Sequence, residues 1–450
     1  MVLAMALFAA IFAFAFSGQW SLADLVLNNV KKVAAQHIGE RVMEEIFMKE
    51  NESVLSDVPP TYESLENAGP FDIDYTVFGK PFDRCTNTHE YSASWGSGWG
   101  SSQSLVMSKM SVDLGLVLDF GLDCARSYFP SFESLSEEVV VADSLVTSVD
   151  ALNNFVFISQ NSLNGIVRIN ASDNFEQVVI PNPPQVAGLN KIDVTNDFVF
   201  AAANSTTSQV VVFRNGDALE FVATTTLPGV TGSRPEAVSI FYSDSRLYVG
   251  TKRTAGHEFH VFDVTDPQSP EWMGSREINH NINDIFVKDG FAFLATSGNV
   301  RDMIVVDVSD PAFMIPSLVL DLPGNEDGRS IEVGYNYIFL GRHKSVVPDR
   351  PELYVLKYFF EEVSRVMSVE IVDSVKTGGD VIDVGFSQGR VFAATNNILK
   401  EFQVFGFSDS FEIQPEFYQN LFFAANGFDM QGRKFFVSVG NEVHIFQNHE

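Results

Sequence analysis

Cysteine is almost missing: Cys85 and Cys124 are the two in 450 residues. Two thiols cannot build a disulfide-dense framework or a four-cysteine zinc site. Positive charge is scarce as well, 29 Lys and Arg against 58 Asp and Glu, for a formal net charge of −29 and a sequence pI near 4.5. Such a surface repels phosphate backbones and argues against nucleic acid as a partner. There is no glycine-rich phosphate loop ending in Lys-Ser/Thr and no Gly-x-Ser-x-Gly elbow. What is present suits a folded chain: 45% hydrophobic and 19% charged residues can build a sizeable core. At roughly 100–200 residues per domain, the length allows two to four domains.

Charge is absent altogether from residues 1–23; the first acid is Asp24 and the first cation Lys31. Met1 to Phe16 contains only Ala, Leu, Ile, Val, Met and Phe, and about 20 apolar residues suffice to enter a bilayer as a helix. A secretory signal peptide is the rival reading, with Ala13-Phe14-Ala15 as its cleavage site, but it needs a basic n-region that this start lacks. Beyond it, apolar residues recur at Leu22, Leu25, Val26, Val30, Val33, Ala34, Ile38, Val42, Ile46 and Phe47, with no proline before Pro59. Spacings of three and four mark one face of an amphipathic helix. A continuous helix over about residues 2–48 would be ~70 Å long. The sequence therefore predicts a helix that sits in a membrane and also packs laterally in a bundle.

Met1-Val2-Leu3-Ala4-Met5-Ala6-Leu7-Phe8, followed by Val33-Ala34-Ala35-Gln36-His37-Ile38-Gly39-Glu40-Arg41-Val42-Met43-Glu44-Glu45-Ile46, resembles the mature N-terminus of type IV pilins and pseudopilins. The resemblance implies a short leader removed ahead of Met1, residence in the inner membrane before assembly, and an extracellular, cell-surface filament afterwards. It implies self-association, or association with other pilin-like subunits, through a filament-core helix. That helix would pack through Met1, Leu3, Met5, Leu7, Phe8, Ile11, Phe12, Leu22, Leu25, Val26, Val30, Val33, Ile38 and Val42. Shaft subunits of that family usually carry Glu where this chain has Met5. A buried carboxylate needs a partner, so its absence is compatible with a tip subunit or with a divergent shaft.

Residues 51–136 change character. Pro59-Pro60 ends the helical pattern. The stretches 71–78 and 111–119 alternate as strands do, around a Gly/Ser loop holding Trp95 and Trp99. A small pilin-like sheet is the expectation here. Cys85 and Cys124 flank that loop; a disulfide between them would close about 40 residues and stabilise by ~3–4 kcal/mol, with two buried free thiols as the alternative.

From residue 137 the chain repeats. Phe155-Val156-Phe157, Phe198-Val199-Phe200, Leu247-Tyr248-Val249, Phe291-Ala292-Phe293, Tyr337-Ile338-Phe339, Val391-Phe392-Ala393 and Phe435-Phe436-Val437 recur 43 to 54 residues apart. Each is preceded by a strand such as Ile192-Asp193-Val194 or Ile382-Asp383-Val384 and followed by another such as Val210-Val211-Val212-Phe213. Four short strands per ~45 residues is the period of a propeller blade, and seven anchors predict seven blades. The last unit lacks an outer strand, which Glu138–Ala142 can supply to close the ring and remove an open edge. Phe262-Asp263-Val264-Thr265-Asp266-Pro267 and Val306-Asp307-Val308-Ser309-Asp310-Pro311 resemble the LVIVD-type repeat of surface propellers, which are mostly non-catalytic modules.

The remaining signals for chemistry are weak. His257-Glu258-Phe259-His260 has i, i+3 rather than the i, i+4 spacing of a helical zinc pair. His280 and His343 have no local partner in sequence. Asn325-Glu326-Asp327-Gly328 and Asn196-Asp197 could offer oxygens to Ca²⁺, though these are also ordinary turn residues. Sequons stand at Asn51, Asn170 and Asn204. The expectation is a mixed fold: a long N-terminal α-helix over 1–50, a small disulfide-closed pilin-like sheet over 51–136, and an all-β seven-bladed propeller over 137–450. The expected function is a non-enzymatic pilin-like subunit, without cofactor, displaying the propeller for adhesion or recognition of an unknown surface ligand. A membrane-anchored propeller acting as lectin or enzyme is the alternative.

Overall fold

The computed structural model describes residues 135–448, apart from short stretches at 172–174, 217, 231–235, 299, 335, 348–349, 362–364, 388–389, 408–412 and 432–433. It also describes the backbone of five short strands between residues 76 and 118. The expectations placed on the filament-core residues Met1 to Val42, on Asn51 and on Cys85 and Cys124 lie outside the described residues.

The chain divides into two compact units. One contains an antiparallel five-stranded sheet in chain order: Thr76–Phe78, Glu90–Ala93, Gln103–Val106, Lys109–Val112 and Leu116–Leu118. The single strand expected over 111–119 is thus two, with Met110 paired opposite Leu118.

The other unit is a ring of seven four-stranded antiparallel sheets. Blades 1 to 7 begin at innermost strands Val146–Leu152, Leu189–Val194, Ala237–Ser243, Asn281–Lys288, Gly328–Gly334, Val381–Ser387 and Ala425–Gln431. The aromatic anchors of the repeat are the second strands. Second and third strands are packed by neighbouring blades on both faces, so they read as nearly continuous apolar runs; Val210–Phe213 is buried throughout. Outer strands have one face in solvent, and Gln177–Ile180 alternates accordingly. The ring closes without a free edge in its last sheet. Leu135–Val141 is the outer strand of blade 7, pairing from Asn448↔Leu135 to Glu442↔Val141.

The blades are joined at the axis by a repeated device. Every innermost strand shifts register once, between Val146/Ser148, Leu189/Lys191, Ala237/Ser239, Ile282/Asp284, Gly328/Ser330, Val381/Asp383 and Ala425/Gly427. A bulge leaves one residue out of the ladder and frees backbone groups that still need partners. Those partners come from the preceding blade. Thr147, Asn190, Asn283 and Asn426 sit at the bulge and donate to the carbonyls of Leu189, Ala237, Gly328 and Val146, at 2.6–3.2 Å. Where the bulge residue is Val238 or Arg329, the next side chain takes over: Ser239 donates to Ile282 O at 2.9 Å and Ser330 to Val381 O at 3.1 Å. At the remaining junction Asp383 accepts from Phe428 N at 3.0 Å. All seven junctions are therefore bonded side chain to backbone.

The two serine junctions carry aromatic pairs in addition, Phe241–Phe286 with ring centroids 5.0 Å apart and Phe339–Phe386 at 4.5 Å. The Asp-Pro segments form the tight turns that their chemistry dictates. Asp266 accepts from Gln268 N at 3.1 Å and Asp310 from Ala312 N at 3.0 Å.

The mixed fold class is overturned. No α-helix occurs among the described residues, whose one helical element is the 3₁₀ turn Pro311–Phe313. None of their helices is long and apolar enough to cross a membrane. The physical reason lies in the described sequence: apolar residues alternate at period two or run unbroken through doubly covered strands, and Val, Ile, Phe and Tyr dominate those strands.

Ser239 and Ser330 lie opposite Gly250 and Gly341 on their second strands. A Cβ at Gly250 would stand 2.3 Å from Ser239 Oγ and 2.7 Å from Ile282 Cγ2. Gly250→Ala is expected to lower unfolding free energy by about 1–3 kcal/mol, read by denaturant titration, while Gly216→Ala at an open turn changes it by less than about 0.5 kcal/mol. Equal effects would contradict the latch at this junction. For the closing strand, Val140→Asp puts a charge among Val443 and Ile445 and is expected to cost about 3 kcal/mol. Val139→Asp, on the exposed side, is expected to leave the thermal midpoint nearly unchanged.

Candidate functional site

Two features of the propeller carry chemistry: the polar groups gathered at its axis and the loops of one face. The axis comes first because the innermost strands place it. Asp150, Asp193, Asp284, Glu332, Asp383 and Asp429 project from six different blades, and Lys191 lies among them. Lys191 in blade 2 pairs with Asp284 in blade 4, spanning the blade between them. Five of the carboxylates also accept a backbone amide of the next blade. Asp150 takes Val194 N, Asp193 takes Tyr242 N, Asp284 takes Ile331 N, Asp383 takes Phe428 N and Asp429 takes Ala151 N, at 2.5–3.0 Å. These acids are thus part of the junctions as well as of the axial surface.

Six carboxylates around one ammonium cannot all ionise in a low-dielectric ring. Burial pushes Asp193 up to about 7, and Asp383 and Asp429 up to about 6. Burial, reinforced by the charges of Asp429 and Asp193, holds Asp150 well above the usual carboxylate range. Glu332 is raised by burial and by Asp284 and Asp383. Lys191 is moved the other way from what its burial favours, because Asp284 and Asp383 hold its proton. The axis therefore stores protons near neutral pH. Among the described residues no three His, Cys, Asp or Glu side chains converge as metal ligands.

The second feature follows from topology. Successive antiparallel strands reverse direction, so the loops between second and third strands and the connections from one blade to the next share one face. Their shape is set by a repeat within the repeat. Gln209, Glu258, Asp302, Glu352 and Glu401 each precede a third strand and accept from the amide two residues beyond the outer strand: Leu227, Ile278, Leu322, Thr377 and Leu421, at 2.6–3.2 Å. All five acceptors are buried. On this frame the loop tips expose Leu145, Leu163, Val300, Val346, Val347, Ile398, Leu399, Phe422 and Phe423. In the described turns of the opposite face, Phe313 is the large apolar side chain that is exposed.

The other residues singled out in the sequence take ordinary places. Glu326 is committed to Ser345, at 2.5 Å, and to Arg342 and Arg350, each at 3.5 Å. Asn196 accepts from Asn153 at 2.9 Å between two turns. His260 is fully buried, bonded to His257 O at 2.9 Å, and pushed down to about 4 by burial. Its neighbour Glu258 caps Ile278 and Asn279 rather than facing a metal. His343 pairs with Asp380 at 3.2 Å and holds that carboxyl down at about 2. His280 stacks its ring against Gly298. Asn170 ends a third strand and Asn204 bonds Gly188 O through its amide at 2.9 Å; both are half-buried.

The aspartates of the innermost strands were visible in the sequence as strand markers. Their convergence was not, because it needs the ring. The buried acceptors before each third strand had a sequence signal, Gln or an acid at the same place in five successive units, hidden by loops of unequal length.

No protein-family model and no curated protein matches the chain. Solved structures do resemble it. A chain in the mitotic checkpoint complex aligns with a TM-score of 0.54 at 11% identity, over 70% of this chain and 94% of that one. Selenomethionine-substituted virginiamycin B lyase from Staphylococcus aureus aligns with a TM-score of 0.51 at 10% identity, over 70% of this chain and 99% of that one. The catalytically inactive lyase with quinupristin gives 0.52 at the same identity and coverage. At such identities the likeness is one of fold: this chain contains a seven-bladed β-propeller. An enzyme and a member of a checkpoint complex share the architecture, so the architecture assigns no activity.

Raised carboxyl pKa values make a testable statement about stability. Between about pH 4 and pH 7 the folded axis binds more protons than the unfolded chain, so stability falls as pH rises through that window. His260 and His280, both pushed down by burial, act oppositely below about pH 6.5, two groups against the five axial carboxyls and Asp302, which burial raises to about 6. The thermal midpoint is expected to be higher near pH 5.5 than near pH 8, and Asp193→Asn is expected to flatten that difference. A midpoint that rises steadily with pH would contradict the axial assignment.

Proposed function

We propose that the propeller is a recognition head that binds through its apolar loop face. The observation that carries this reading is the nine large apolar side chains exposed on the loop tips of that face, where the described turns opposite expose Phe313 and the strand ends beside them expose Trp272, Ile315, Phe359, Phe360 and Val366. Large apolar side chains gathered on the exposed loop tips of one face mark an interaction site. The finer reading is a pilin-like subunit of an extracellular or cell-surface filament, with the head displayed for adhesion. It is supported by the uncharged residues 1–23 and the pilin-like order of residues 33–46. Its partners would be other pilin-like subunits, with the inner membrane as the site of residence before assembly. A second reading, a membrane-anchored surface propeller working as lectin or enzyme, draws on Asp193, whose pKa of about 7 suits proton transfer at neutral pH.

Ile398→Asp with Phe422→Asp is expected to reduce attachment of the protein to its target surface by about tenfold or more without changing the thermal midpoint. Asp193→Asn is expected to leave attachment intact. The reverse pattern would move the function to the axis. Cryo-electron microscopy of extracellular material is expected to find the chain in filaments; its recovery in membranes alone would contradict the filament reading.

A further inference from the structure

We infer that the partner of the loop face is a lipid bilayer bearing anionic headgroups, which the tips of blades 4 to 6 enter. This rests on the recognition-head reading and names what the head meets.

Three successive blades repeat one arrangement in the loop between second and third strands. Val300 is followed by Arg301, Lys344 precedes Val346 and Val347, and Ile398-Leu399 is followed by Lys400. Each tip thus joins an apolar side chain to a cation. The apolar members stand far out from the body, Val346 at 96% and Ile398 at 81% exposure, and the next connection adds Phe422 at 82%. Lys344 and Lys400 are exposed, and Lys400 lies 4.4 Å from the ring centroid of the exposed Tyr418.

Most of the described acids on these loops are turned inward, Asp321 being exposed. Asp302, Glu352 and Glu401 are buried against backbone amides. Glu326 is bonded to Ser345 and paired with Arg342 and Arg350, and Asp380 with His343. The tips therefore present cations in a chain whose net charge is −29. Distant acids are screened within about 8 Å at physiological salt, so the local sign decides the encounter.

A protein partner would have to offer a separate pocket to each of these protruding anchors. Separate protruding tips, each apolar at its end and basic beside it, instead match an interface where apolar groups enter the acyl boundary and cations meet headgroups.

The test is flotation of the full chain with vesicles of phosphatidylcholine and phosphatidylserine, compared with phosphatidylcholine alone. Binding is expected to be stronger to the anionic vesicles and to weaken with added salt. Lys344→Glu with Lys400→Glu, and separately Ile398→Asp with Phe422→Asp, are each expected to weaken it about tenfold. Phe313→Asp on the opposite face is expected to have no effect. These are surface changes, and an unaltered thermal midpoint verifies that each variant folds. All variants retain residues 1–23, so any lipid binding by that segment is common to them. Absence of vesicle binding, or equal binding by wild type and both loop variants, overturns the inference. If vesicles are ignored while Ile398→Asp with Phe422→Asp still abolishes surface attachment, the membrane partner falls and the recognition head stands with a protein partner.

Discussion

A propeller must satisfy the backbone of seven innermost strands whose inner edges have no further strand to pair with. Here that constraint is met by side chains. Each innermost strand bulges once; at six junctions a side chain of the preceding blade donates to the carbonyl just before the bulge, and at the seventh Asp383 accepts from Phe428 N. The identity of the donor varies with the local sequence: Thr or Asn at the bulge itself, Ser one residue on where the bulge holds Val238 or Arg329. Glycine at 250 and 341 follows from the same requirement, since Ser239 and Ser330 occupy the space a Cβ would need.

Carboxyl groups can serve as amide acceptors in this setting with or without their proton, because an oxygen lone pair remains available in either state. Using them at five junctions concentrates acids on the axis. The ring answers by keeping protons on them: burial raises Asp193, Asp383 and Asp429 into the range of about 6 to 7. Closure of the ring and its protonation are in this way one property. Far from the axis the same choice recurs with a different result. Glu258, Glu352 and Glu401 accept amides at the loop face, and because they are buried they hold the loops in place while leaving the exposed tips apolar and basic.

Much of the propeller was legible in the sequence, for a definite reason. Its second strands are buried on both faces, so each anchor is a short aromatic or branched run that recurs every 43 to 54 residues, and the missing outer strand of the last unit pointed to Glu138–Ala142, which overlaps the observed Leu135–Val141. The loop-face frame was obscured because the loops differ in length: the one ending at Glu352 is longer than those ending at Gln209 or Asp302. Convergence at the axis was illegible, since Lys191 and Asp284 lie 93 residues apart. The mixed class, which joined a long helix over residues 1–50 to a small sheet and the propeller, is corrected by the described chain, which is all-β.

Residue-resolved hydrogen exchange in the native state tests the axial latch most directly. The amides of Ala151, Val194, Tyr242, Ile331 and Phe428 have a carboxylate of the neighbouring blade as their partner. If the ring is held together there, these amides exchange only with global unfolding, as slowly as those of the buried second strands. Exchange through local opening, faster by orders of magnitude than in the second strands, would show that the blades cohere by apolar packing alone and would contradict the account.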